Sequence, residues 1–440
     1  MNNLVVSRRR FTTVLALASG AATLPGGLAW ARPSDSAEDR RLMTLFRETA
    51  RREDAIDPLG LIYRGGKPNL TAFRQIFTDL AVRQQRGVVR WALAGLKRIN
   101  RARLSPERQI SYDVFLRDKH EQDLWLSPEM VALTEVRPLT HFGGLHVEFP
   151  SLVAAGGPLP YAAESDYRLN LNLIRAFPQV LDNAIARFRE GIASGVVETR
   201  MTTRNMIEQI DAILAQPLVE SPFTSATKSF PDAVPTTRHE ALRQQYFAAT
   251  QSEVYPAYRR LRQVLNDEYL PAARDAVGVA AMKGGAALYL KDIERQTTMR
   301  LEPEEVHRLG LAEVARIQKD MDQVRQQLGF AGPLHEFFDE IRNNPKYHPK
   351  TKEEFAKAFA DTAKAVDAQV PQFFNKVPKT PLTIEPYPAY REKYEAGGSY
   401  NQGSPDGSRP GTFYYNTYDL PSRFLTGVVT LYMHEGAPGH

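Results

Sequence analysis

The sequence contains no cysteine. That excludes a disulfide framework, a thiolate nucleophile, Cys-ligated zinc and an iron–sulfur cluster, so any metal must be held by His, Asp or Glu. Neither an internal repeat nor a Gly-rich phosphate loop occurs, which removes repeat architectures and P-loop chemistry from consideration. Strand signals are few. Charge of one sign is barely in excess: the formal net charge is +5, and setting aside Arg8, Arg9 and Arg10, which lie in a removable leader, leaves +2. Such a balance gives no reason to expect nucleic acid as a partner. What is present is the composition of a globular chain, 42% hydrophobic and 24% charged, with length for two to three ordinary domains.

Residues 1–31 carry no acidic side chain. The cluster Arg8 to Arg10, the apolar stretch from Phe11 to Leu24 and the terminal Ala29-Trp30-Ala31 give, in order, the n-region, h-region and A-x-A site of a secretory signal. The apolar part is too short to span a bilayer, so no membrane span is expected after processing. Ser7-Arg8-Arg9-Arg10-Phe11 resembles the address read by the twin-arginine export machinery, which implies a periplasmic or secreted protein.

The remaining chain, 32–440, reads as one mostly helical region. Apolar residues at helical spacing predict successive helices from about Ala37 to His120, with Ser105 as an N-cap ahead of Pro106. Further helices are expected from Asp166 to Ala215 and from Thr237 to Ala276. The clearest helix is Pro303 to Leu328, with Val306, Leu309, Val314, Ile317, Met321, Val324 and Leu328 on one stripe and Gly329 as its stop. The stretches 137–160 and 217–235, rich in Gly, Pro, Ser or Thr, read as long loops. One strand is expected, Gly411 to Tyr418, aromatic and Thr-rich after a turn-forming segment.

Most of the nine histidines have bland readings: His120, His239, His307, His335 and His348 sit in charged or turn-like surroundings and are expected at the surface. His141 and His146 flank a Gly-Gly pair in the first loop and are read as loop packing or site lining. The last seven residues, His434-Glu435-Gly436-Ala437-Pro438-Gly439-His440, carry the chemistry. Arg423 to Met433 is apolar enough to predict a buried helix that brings His434 and Glu435 inward, where a divalent metal offsets their desolvation. The H-E-x-x-H zinc motif fails here because its fourth position is Pro438. On a straight helix, six residues turn through about 600°, which points His440 roughly 120° away from His434. Pro438 and Gly439 predict a break that lets His440 swing back toward the same ion.

With these residues in view, the chain resembles the bacterial family catalogued as domain of unknown function 885. The likeness rests on Arg409-Pro410-Gly411-Thr412-Phe413-Tyr414-Tyr415-Asn416-Thr417-Tyr418-Asp419 and on the seven-residue end. It extends to Leu301–Gly310 and, more weakly, to Ser111–Phe115. The resemblance implies a multi-helix, metallopeptidase-like bundle with a small β element before the HExxPGH helix. It further implies a zinc site with His434 and a His of the PGH element, here His440, as ligands and Glu435 activating water. Family members continue P-G-H-H and run on to a further acidic group, so the resemblance implies a C-terminally truncated chain.

The leading expectation is an exported zinc-dependent peptidase acting on a peptide or peptide-like substrate. The strand would hold that substrate by edge pairing, and Tyr414, Tyr415 and Tyr418 would bind it and stabilise the developing oxyanion, the alternative being ordinary packing within the strand. Two other readings remain: a non-catalytic envelope protein that binds peptides or a partner, and a metal hydrolase acting on a non-peptide bond.

Overall fold

The computed structural model describes residues 36–387, 392, 395–403, 407 and 410–440. The signal-peptide reading of residues 1–31 and Arg409 of the family motif lie outside these. The chain is mostly helical, as the periodicity predicts. None of the helices among the described residues is long and apolar enough to cross a membrane.

The first long helices among the described residues are α1 (Ala37–Ile56), α2 (Asp79–Leu96) and α3 (Pro106–Trp125). Ser36 and Asp39 close a capping box on α1, each accepting the other's backbone N–H at 3.0 Å. Ser105 does precede the first-turn proline of α3, but its hydroxyl donates to Asp39 at 3.3 Å instead of capping its own helix. The two helix starts are thereby fastened together.

The segment 137–160 corrects the loop expectation, because it contains α4 (Leu145–Val153). Leu145, Phe149, Leu152 and Val153 recur at helical spacing and are all buried. Gly and Pro at both flanks, and Pro150 inside, hide that period. α4 packs against α5 (Glu164–Ser194) and α6 (Arg200–Leu214), and α7 (Thr236–Ala249) and α8 (Tyr255–Val264) pack in turn on α5. π-helical turns at Thr250–Val254 and Leu265–Tyr269 precede Pro256 and Pro271. Proline lacks the N–H that an α-helical ladder needs, and a wider turn accommodates the gap. The central core is aromatic: Phe149 stacks on Phe177 at 4.1 Å, with Phe223 and Tyr258 around them.

Beyond α9 (Gly285–Thr297) come α10 (Pro303–Gln327), α11 (Leu334–Asn343) and α12 (Lys352–Asp367). The strands β1 (Leu382–Pro386), β2 (Gly398–Asn401) and β3 (Gly411–Tyr415) form one sheet in the order β1-β3-β2, and α13 (Val428–Glu435) closes the chain. β3 pairs parallel with β1 and antiparallel with β2. Its Phe413 and Tyr415 point into a second core with Phe355 and Phe359 of α12 and Val428 and Tyr432 of α13. The anticipated strand is therefore shorter than 411–418, and it is central. Both of its edges are occupied, so an extended peptide cannot pair with β3; the outer strands are β1 and β2.

Candidate metal centre

α13 is held by Val428 and Tyr432, one turn apart and both buried. The Tyr432 hydroxyl donates to Asp367 at 2.7 Å, tying the helix to the end of α12. Burial, and then that hydrogen bond, push the phenol's pKa up, so it stays a donor. The helix is shorter than anticipated and does not bury its His-Glu pair. Val429 and Met433 are 50% and 46% exposed, His434 is exposed and Glu435 half-buried. The physical reason is that one row of side chains, i and i+4, is enough to dock an eight-residue helix. Leu431 packs partly against the same core, while Val429 and Met433 fall on the outer side.

The helix ends at Glu435, where the Gly436 N–H reaches the Tyr432 carbonyl at 2.7 Å. The Ala437–Pro438 peptide bond is cis. The chain then turns back over the helix end, and the His440 N–H donates to the His434 carbonyl at 2.9 Å. Gly439 makes this path possible: a Cβ there would collide with the backbone carbonyl oxygens of Met433 and His434. The His434 and His440 rings consequently lie 5.0 Å apart, almost perpendicular at 85°. His434, Glu435 and His440 each offer a ligand atom within 4.8 Å of the others. Ligands sharing one zinc at about 2.1 Å stand at most about 4.2 Å apart, so small side-chain rotations suffice to close the set. Two imidazoles and a carboxylate are a zinc-type donor set.

The three tyrosines singled out from sequence do not share one surface. Tyr415 is buried and stacks on Phe359 at 4.6 Å, so its ring belongs to the core. Tyr414, on the opposite face of the strand, stacks on Tyr387 at 5.5 Å. Tyr418 lies beyond the strand and is 41% exposed. The aromatic group beside the centre is instead Tyr400 of β2, whose ring runs parallel to His440 at 6.4 Å. Sequence reasoning passed over it because β2 is only four residues long. It also passed over Asn416, whose amide donates to the carbonyls of Glu392, Glu395 and Ala396 at 2.7, 2.9 and 3.0 Å and so anchors the chain just before β2.

Three histidines differ from their readings: His239 is half-buried, stacked on Phe230 at 4.2 Å with Nε2 2.9 Å from the Val234 carbonyl oxygen. His348 is half-buried, with both ring nitrogens 2.8 Å from carbonyl oxygens, those of Arg423 and Arg342. It pins the segment before α13 to the end of α11. His146 is fully buried in the N-terminal core and bonded to Gln209 at 2.9 Å, where burial pulls its pKa down to about 4.

A mostly helical chain ending in an exposed His-Glu-His cluster beside a small sheet is the class of protein that fold and site define. The chain belongs to the DUF885 family, described as bacterial protein of unknown function, which it matches over residues 62–440. Its fold is similar to that of a candidate lipoprotein from Colwellia psychrerythraea, with a TM-score of 0.79 at 18% identity, covering 92% of this chain and 72% of that one. A candidate lipoprotein of unknown function from Shewanella oneidensis is also similar, with a TM-score of 0.56 at 14% identity, covering 92% and 71%. No curated protein matches the chain.

Proposed function

We propose that this protein is a zinc-dependent hydrolase of peptide bonds in the cell envelope. The observation that carries the reading is the convergence of His434, Glu435 and His440 within 4.8 Å at a solvent-exposed helix end. His434 and His440 would hold the ion. Zinc, when bound, supplies Lewis acidity, lowering the pKa of water toward ~7 and polarising a carbonyl. Glu435, adjacent in sequence and half-buried, would take a proton from the attacking water and return it to the leaving amine. β1 and β2 each pair only with β3 among the described residues; of the two outer edges, that of β2 carries Tyr400 alongside His440 and would receive an extended peptide.

The test is Glu435→Gln, which keeps shape and hydrogen bonding but removes the base. Metal content should be retained while turnover of a peptide library falls on the order of 10² or more. Wild-type rates in that variant would end the peptidase reading.

The envelope location rests on the basic, acid-free leader and on the lipoprotein descriptions of the two structural relatives. Replacing Arg8 and Arg9 with Lys should leave the precursor unprocessed in the cytoplasm; a mature form of normal abundance would refute twin-arginine export. A second reading, a non-catalytic peptide-binding protein, is favoured by the donor set. A catalytic zinc normally has three protein ligands, and with Glu435 kept as base only two imidazoles remain in the described cluster. Peptide binding without zinc or turnover would establish it.

A further inference from the structure

The residues that follow α13, Gly436 to His440, have few means of holding themselves in place. Gly436 and Gly439 lack side chains and have the most backbone freedom to lose. Pro438 has no N–H to donate. The path is anchored from the helix beneath it, and three of its contacts are made by one residue. The Tyr432 carbonyl accepts the Gly436 N–H at 2.7 Å. The Tyr432 ring lies so close that a Cβ on Gly436 would stand 2.7 Å from Cε2 and 3.0 Å from Cδ2. The Tyr432 hydroxyl oxygen faces the backbone N–H of Ala437. Beyond these, the His440 N–H closes the path on the His434 carbonyl at 2.9 Å.

We infer that Tyr432, oriented by Asp367, is a positioning residue: it holds 436–440 over the end of α13 and thereby sets how far the His440 ring stands from that of His434. The inference rests on the metal-site reading above. Tyr432 is fully buried, so it acts through the backbone path and touches neither an ion nor a substrate. Asp367 has a defined part in this. A phenol carries one hydrogen and accepts through its remaining lone pairs. With that hydrogen committed to the Asp367 carboxylate at 2.7 Å, the oxygen is left to accept from Ala437, and donation to a charged acceptor strengthens the second bond. Without Asp367 the hydroxyl is free to turn its hydrogen toward the Ala437 N–H, and the contact becomes repulsive. Groups that orient metal ligands without touching the metal commonly decide its affinity.

Calorimetric zinc titrations of the full chain should show binding weakened about ten- to a hundredfold by Tyr432→Phe, which keeps the ring. Asp367→Ala should do the same, and the double variant should be no weaker than either alone, because both remove one link. Asp367→Asn, which keeps an acceptor, should recover most of the affinity. Phe355→Leu, in the same core but with its ring contacts on Phe359 and Tyr415, should lower the melting temperature at least as much as Tyr432→Phe and leave zinc affinity unchanged. A second readout needs no metal: amide hydrogen exchange across 436–440 should quicken in Tyr432→Phe and stay as in the wild type within α5. If the wild type takes up no zinc, the metal reading fails, while quickened exchange still upholds the positioning role. Unchanged exchange in Tyr432→Phe overturns the inference. So does wild-type zinc affinity in that variant, or an equal loss of affinity in Phe355→Leu.

Discussion

The N-terminal helical body and the C-terminal unit that carries the His-Glu-His cluster are built on different principles. α5 buries fifteen of its residues in an aromatic core, whereas α13 buries two and α10 none. The first region is held by one large core, and the second by a small core around Phe359 and Phe413 together with a few fixed points: Tyr432 on Asp367, Asn416 on three carbonyls, His348 on two. Stability and candidate chemistry are thus separated along the chain, which leaves the site region free of the packing demands of the larger core.

The contrast breaks most readily at Phe177, fully buried against Phe149. Phe177→Ala should lower the unfolding free energy by about 3–5 kcal/mol in urea titrations. Val429→Ala, on the open side of α13, should stay within about 0.5 kcal/mol. Comparable losses at the two positions would erase the distinction.

The next effect is acid sensitivity. His146 has its pKa pulled from 6.5 to about 4 by burial. Between those values the unfolded chain binds a proton that the folded one refuses. Its contribution is therefore complete above pH ~6.5, falls as the pH drops and is exhausted near ~4, about 3 kcal/mol in all. Unfolding titrations at several pH values should show that slope in the wild type and its loss in His146→Leu, whatever the variant's baseline.

A smaller effect sharpens the picture of fixed points. Tyr432→Phe removes the hydroxyl bonded to Asp367 but keeps the buried ring, and should cost about 1 kcal/mol. If α13 is held as described, the measured loss should be matched by Asp367→Asn plus Tyr432→Phe together, showing coupling within the pair.

The helical class, the long helix at 303–327 and the cluster at the chain's end were legible because each is written in local spacing. Periodicity did not say which apolar faces have a neighbour: it marked the stripe on α10 correctly and gave no sign that it is uncovered. The same limit explains α13, where a run of apolar residues suggested burial although only Val428 and Tyr432 are inside. α4 was hidden by its flanking glycines. β1, although Leu382-Thr383-Ile384 alternates apolar and polar, and β2 acquire their roles from pairing with residues 11 to 29 positions further along the chain, which local pattern does not encode. β3 is the central strand, and the edges belong to β1 and β2.

The return of the chain over the end of α13 has a bearing on mutational tolerance. Alanine, the smallest possible replacement for Gly439, already puts an atom where two carbonyl oxygens stand. Every substitution there displaces His440, and with it half of the imidazole pair. In a saturation scan, position 439 should therefore be as intolerant as the two histidines, although it supplies no donor atom and no proton. Intolerance at the seven-residue end measures the shape of a backbone path as much as the chemistry of the side chains it presents.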